Sequence, residues 1–200
     1  MNMLEIEYEL YSQGYQNIAG VDEAGRGPLA GDVYAAAVIL PQGLVIDGIN
    51  DSKKLSEKKR EQLYDIICDS AVAYCIASVS AREIDEINIL EATFLAMQKA
   101  VSGLAVAPDF VLIDGNRIKG IDIPHSTVVK GDSLSASIAA ASILAKVSRD
   151  RYMAEQAALY PQYRFETHKA YGTKEHMALI AEHGPSPIHR RTFKGVKEYC

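Results

Sequence analysis

Tryptophan is absent, and the 200 residues include only three cysteines. Cys68, Cys75 and Cys200 share no metal-ligand spacing and are odd in number, so neither a zinc site nor a complete disulfide framework fits them. They read as reduced thiols, which sets the expectation of a cytoplasmic protein. No apolar run approaches the ~20 residues that a membrane helix needs. The first residues, Met1 to Glu9, are acidic where a secretory signal would be basic and then apolar. Repeats and low-complexity tracts are missing. So is G-x-x-x-x-G-K-[ST], which argues against a nucleoside-triphosphate enzyme. The remainder has an ordinary globular composition, 48% hydrophobic and 24% charged, and is long enough to bury a proper core.

Charge is unevenly spread. The net value is −5, yet residues 146–200 hold 10 Lys and Arg against 6 Asp and Glu. Residues 1–145 hold 11 against 20. A basic C-terminal quarter on an acidic body suits a nucleic-acid footprint, and equally a set of solvated helix faces. Four of the five histidines lie in that quarter.

The least ordinary stretch is Ile18-Ala-Gly-Val-Asp-Glu-Ala-Gly-Arg-Gly-Pro-Leu-Ala-Gly31. It opens as a strand, sets Asp22 beside Glu23, and then breaks at Gly25, Gly27 and Pro28 around Arg26. Carboxylate oxygens suit hard cations such as Mg²⁺, while glycine amides and an arginine fork suit phosphate. A solvated hairpin turn would use the same residues. Neighbouring strand residues also point to opposite faces. The two acids therefore share a ligand only if the regular strand ends near Asp22.

The chain in order begins with a short amphipathic helix over Met1 to Gln13, its Leu4, Tyr8 and Tyr11 on one side. Strands follow over the stretch above and over Val33 to Leu40. A helix capped by Ser56 runs to Asp69 with Leu63, Ile66 and Ile67 inward. A third strand, Ala71 to Val79, leads to one long helix over Ala81 to Val101, capped by Ser80. Phe110 to Ile113 is a continuous apolar run of the buried-strand kind and ends in Asp114-Gly115. A fifth strand fits within residues 121–129, and a helix over Leu134 to Tyr160. After Pro161 the chain is looser and more basic, with one further helix over Thr173 to His183. This alternation predicts an α/β sheet flanked by helices.

Asp114 stands at the carboxyl end of a buried strand, where α/β sheets place their sites. Asp132 precedes a helix, where aspartate is also an ordinary cap. Converging carboxylates repel unless one or two divalent cations bind them.

Together, Val21-Asp-Glu-Ala-Gly-Arg-Gly-Pro28, Asp51-Ser-Lys-Lys-Leu55, Leu112-Ile-Asp-Gly115, Lys130-Gly-Asp132, Ser142-Ile-Leu-Ala-Lys-Val-Ser-Arg-Asp150 and His168-Lys-Ala-Tyr-Gly-Thr173 resemble the signatures of the type 2 ribonucleases H. The match spans nearly the whole chain in order. The resemblance implies a ribonuclease H-like fold, a five-stranded mixed sheet flanked by helices, with a catalytic domain over residues 1–160. A small basic helical region over 161–200 would pack on the same domain and bind substrate. It implies hydrolysis of RNA in RNA–DNA hybrids and nicking 5′ of single ribonucleotides in duplex DNA, leaving 5′-phosphate and 3′-hydroxyl ends. Asp22, Glu23, Asp114 and Asp132 would hold two Mg²⁺ or Mn²⁺ ions. Gly25, Arg26 and Gly27 would touch the ribose 2′-OH and adjoining phosphate, and Tyr171 would stack on the following deoxyribose. Lys53, Lys146 and Arg149 are candidates for phosphate contact, though a lysine serves equally as surface solvation. A monomer without membrane partners is expected, with a role in ribonucleotide removal. A type 3 enzyme would carry a sizeable N-terminal domain, whereas 17 residues precede the first strand here. A metal-free binding module on the same fold would be expected to lack at least one acid, and none is missing. Departures from the pattern are Asp32, Tyr34 and Ala170, the last where glycine would better tolerate a positive φ.

Overall fold

A computed structural model describes residues 3–49, 52 and 55–200. Helix α1 (Glu5–Ser12) leads into β1 (Ile18–Ala24) and β2 (Val33–Ile39). Helix α2 (Glu57–Ser70) precedes β3 (Ala73–Val79). Two helices, α3 (Ala81–Ile87) and α4 (Ile89–Ser102), then lead to β4 (Phe110–Asp114) and β5 (His125–Val128). The long α5 (Ala136–Leu159) is followed by the single-turn α6 (Phe165–His168) and by α7 (Lys174–His183). The sheet has five strands in the order β3-β2-β1-β4-β5. β1 and β3 run antiparallel to β2, while β1, β4 and β5 are mutually parallel. This is the mixed five-stranded sheet expected.

One face of the sheet is covered by α5 and α2, through Val38, Leu63, Ile67, Ala140, Ile143 and Leu144. The other is covered by α4, through Val21, Ala37, Ala96, Met97 and Ile113. Small residues decide how closely α5 approaches. A Cβ on Gly20 would stand 2.1 Å from the Ser137 carbonyl carbon and 2.3 Å from the Ile138 nitrogen. Glycine in β1 and alanines on α5 therefore let the helix start lie directly on the strand. Glu7, buried on α1, accepts from the Ser135 hydroxyl at 2.6 Å and the Ser137 amide at 3.1 Å. A carboxylate at a helix N-terminus meets both its orphan amides and its dipole.

Four expectations need correction. The single helix over Ala81 to Val101 is broken at Asn88, which adopts φ 70° and whose side chain caps α4 by accepting from Leu90 and Glu91. Asparagine is among the few residues that visit this conformation readily. Ile66 points outward, 47% exposed, because α2 is held by Leu63 and Ile67 alone among the three apolar residues named. On α1 the buried side chains are Glu7 and Leu10, whereas Tyr8 is 45% exposed. And β1 does not end near Asp22: it stays paired with β2 through Asp22↔Ala36, Glu23↔Ala35 and Ala24↔Tyr34.

Candidate active site

The parallel pairing of β1 with β4 stops at Val21↔Ile113. One step further stand Asp22 and Asp114, side by side at the carboxyl ends of adjacent strands and on the same face. Asp22 is 5% exposed. Burial, the negative charge of Glu23 and that of Asp114 push its carboxyl well above the usual range, in that order. Hydrogen bonds from Ser142 and from the Glu23 amide, the latter 2.7 Å, oppose the shift. Ser142 in turn lies 2.8 Å from the Ser52 hydroxyl. Asp114 accepts from the Gly131 amide at 2.7 Å, which ties the strand end to the turn carrying Asp132. That turn is a 3-10 segment, Gly131–Ser133, and Asp132 is buried in it. The cap of α5 is Ser135, whose hydroxyl accepts from Ile138, so Asp132 is not spent on capping.

Although β1 continues, Glu23 lines the same cleft as Ser142, which hydrogen-bonds Asp22, and its charge presses on Asp22, so strand alternation does not keep the two acids apart. The Glu23 carboxylate meets Arg26 at 3.4 Å. Among the described residues, no group of three or more Asp, Glu, His or Cys side chains is gathered so as to hold a metal ion as it stands. The donor set is nevertheless all oxygen, partly buried and mutually repelling, which is the chemistry that hard divalent cations relieve. The residues fit Mg²⁺ or Mn²⁺.

Beside the acids opens a cleft of about 240 Å³ lined by Glu23, Ala24, Gly25, Arg26, Gly27, Ser52, Ser142, Lys146, Arg149 and Tyr171. Six residues singled out in the sequence for substrate contact thus meet around one space, with Glu23 on its wall. Lys53 lies outside the described residues. Tyr171 is 46% exposed and faces Gly27, on which a Cβ would stand 3.6 Å from its ring. Lys146 is paired with Asp150 at 2.7 Å, and Asp150 also faces Arg60, which donates to the Ser52 and Leu55 carbonyls. Arg149 is differently employed from the expectation of a simple phosphate contact. It is buried, and its nitrogens donate to the carbonyls of Ala30, Asp32 and Lys169. Its stem forces glycine at position 25, where φ is 97° and a Cβ would stand 2.1 Å from Arg149 Nε.

The expected strain at Ala170 is present and accommodated. Lys169 and Ala170 adopt φ 48° and 67° in succession. The loop is held by Leu29 donating to the Ala170 carbonyl at 2.8 Å and by Ala170 donating to His168 Nδ1 at 3.2 Å.

Arg190 is the residue that sequence reasoning missed. It is fully buried, and its guanidinium donates to the carbonyls of Gly25, Arg26, Pro28 and Gly31 at 2.6–3.0 Å. Burial, and then the nearby Arg149, lower its pKa to about 9, so it stays charged at neutral pH. Peptides here are trans, so a carbonyl aimed at Arg190 sends the next amide the other way. The Arg26 and Gly27 amides are therefore directed away from Arg190. In the sequence, His189-Arg190-Arg191 looks like exposed basic surface, and only its packing under the glycine turn distinguishes it.

The ribonuclease HII family profile matches residues 19–196. Ribonuclease HII of Geotalea uraniireducens is 59% identical over 198 residues, covering 99% of this chain and 92% of that protein. Ribonuclease HII of Caldicellulosiruptor saccharolyticus is 54% identical over 192 residues, covering 96% and 94%. Among solved structures, ribonuclease H2 from Pyrococcus horikoshii superposes with a TM-score of 0.77 at 26% identity, covering 92% of this chain and 97% of the other. With identity of this order along nearly its full length, the chain belongs to the ribonuclease HII family and is a ribonuclease H.

Proposed function

We propose that this ribonuclease H, whose family cleaves the RNA of RNA–DNA hybrids, also nicks duplex DNA on the 5′ side of a single embedded ribonucleotide, using two divalent ions held by Asp22, Glu23, Asp114 and Asp132. The carrying observation is the cleft: Gly25–Gly27, Lys146 and Tyr171 surround one space whose wall also holds Glu23 and Ser142, the latter hydrogen-bonded to Asp22. Bound there, Mg²⁺ or Mn²⁺ would lower the pKa of a water and stabilise the departing oxygen. The remaining work belongs to the chain. The amides of Arg26 and Gly27, aimed by Arg190, suit a ribose 2′-OH and its phosphate, and the 2′-OH is what separates RNA from DNA at one position. Lys146 supplies positive charge at the cleft wall. Tyr171 offers a flat apolar face to a sugar. Arg149 holds the glycine turn against the Lys169 loop and so fixes the width between these groups.

The test is a labelled duplex containing one ribonucleotide, incubated with Mg²⁺ beside its all-DNA counterpart. The first should be cut once, leaving a 5′-phosphate on the ribonucleotide and a 3′-hydroxyl upstream, and the second left intact. Equal cutting of both would overturn the reading.

A further inference from the structure

Three of the five histidines are buried, and the chemistry above makes no use of them. His168 and His176 stack with ring centroids 4.4 Å apart and planes inclined by 18°. His176 Nε2 lies 3.0 Å from His189 Nε2. The neighbours fix every proton. A carbonyl oxygen only accepts, so His176 Nδ1, 3.0 Å from the Tyr171 carbonyl, carries hydrogen. In the neutral ring its Nε2 is then a lone pair, and His189 Nε2 must be the donor facing it. That leaves His189 Nδ1 to accept from the Ser186 amide at 2.9 Å, with the Ser186 hydroxyl at 2.7 Å. His168 donates through Nε2 to the Tyr163 carbonyl at 2.9 Å and accepts the Ala170 amide on Nδ1. No alternative set of neutral tautomers satisfies these contacts. Burial is the first cause holding all three rings neutral, His176 at about 4 and His189 at about 3.

The relay ends on the loop that presents Tyr171. Two residues in left-handed conformation precede that tyrosine, a backbone course that side-chained residues do not keep unaided. The histidines grip it at the Ala170 amide and at the Tyr171 carbonyl, directly beneath an exposed ring facing Gly27. His189 also pairs with Ala30 in an isolated bridge, and its neighbour Arg190 grips the glycine turn across the cleft. One short segment, 186–190, thus anchors both walls.

We infer that His176, seated by His189, is a positioning residue that sets the Tyr171 ring against the cleft, an inference that rests on the reading of Tyr171 as a substrate contact. The ligand set by this arrangement is the sugar following a ribonucleotide, and the consequence is junction specificity.

The parent protein supplies the first test. With ¹⁵N-labelled histidine, long-range proton–nitrogen spectra should show His176 as the Nδ1–H tautomer, and His168 and His189 as Nε2–H. Finding the His176 proton on Nε2 overturns the inference, whatever any variant does. The second test is a double-mutant cycle in kcat/KM on a duplex with one ribonucleotide. Tyr171→Ala and His176→Leu should each lose about tenfold, the lower range of a lost stacking contact. The double variant should lose no more than Tyr171→Ala, since His176 acts through that ring. His176→Asn, whose amide nitrogen stands as many bonds from Cα as Nδ1, should recover most of the loss. Additive losses overturn the inference, as does a folded, fully active His176→Leu beside an impaired Tyr171→Ala. Parental activity in Tyr171→Ala instead overturns the reading of Tyr171 itself.

Discussion

At the scale of single residues, the acids divide by what surrounds them. Asp22 carries the cost of burial and of two neighbouring charges, and Asp114 is one source of that cost. Asp114→Asn keeps an oxygen to accept the Gly131 amide and removes the charge pressing on Asp22. With the metals chelated, its Tm should equal or exceed the parent's, while activity in Mg²⁺ should fall about a hundredfold or more, the scale of a lost metal ligand worth several kcal/mol. Thermal melts and turnover measured on one preparation check both halves. A large loss of Tm with activity kept would make Asp114 a turn residue only. The positions of these acids could be read before any coordinates, because apolar runs such as Phe110 to Ile113 declare where a strand ends. Their side-chain directions were less accessible. The pairing of Asp22 and Glu23 with Ala36 and Ala35 depends on β2 arriving from further along the chain, and nothing local in Asp-Glu announces it. Arg190 and the three buried histidines were hidden for the same reason: each is defined by partners distant in the chain, and a basic or polar residue carries no mark of its own burial.

At the scale of elements, α5 on β1 is the contact that aligns the site. The helix start is pinned from two sides, by Gly20 beneath it and by Glu7 at its amides. Asp132 stands four residues before its first turn, so a displaced helix would move that acid relative to Asp22. Gly20→Ala puts a methyl 2.1 Å from backbone that cannot rotate away. Overpacking of this kind costs ~3 kcal/mol, on the order of 6–12 °C in Tm for a chain of this size. Calorimetric melts should show the fall, and Mg²⁺ titration of the surviving folded fraction should show weakened binding. An unchanged Tm would mean that α5 slides cheaply and does not set the site. Caps made the starts of α2 and α3 legible, since Ser56 and Ser80 cap where expected. The break at Asn88 was not legible, because apolar spacing continues across it from Ile84 to Met97 and only the φ of one residue interrupts the helix.

At the scale of the whole molecule, the basic quarter is not a separate skin of charge but the fixture that holds both walls of the cleft, and its interior is built from neutral imidazoles. That choice ties the fold to pH with a definite sign. A histidine held near pKa 4 when folded, against ~6.5 when unfolded, takes up its proton more readily in the unfolded chain. Its contribution to stability is complete above pH ~6.5 and is lost as pH falls from there towards 4. Within that window each such ring removes about 1.4 kcal/mol per pH unit, and His176 and His189 act together. Asp22 works the other way, since a carboxyl held above its ordinary range gains protons preferentially in the folded state and stabilises the metal-free protein as pH falls. The two effects separate in Asp22→Asn, where the opposing carboxyl is gone. Melted without metal, that variant should lose Tm steadily between pH 7 and pH 5, more steeply than the parent. A profile flat across that interval would mean that the three rings are not neutral in the fold, and the proton relay beneath Tyr171 would fall with it.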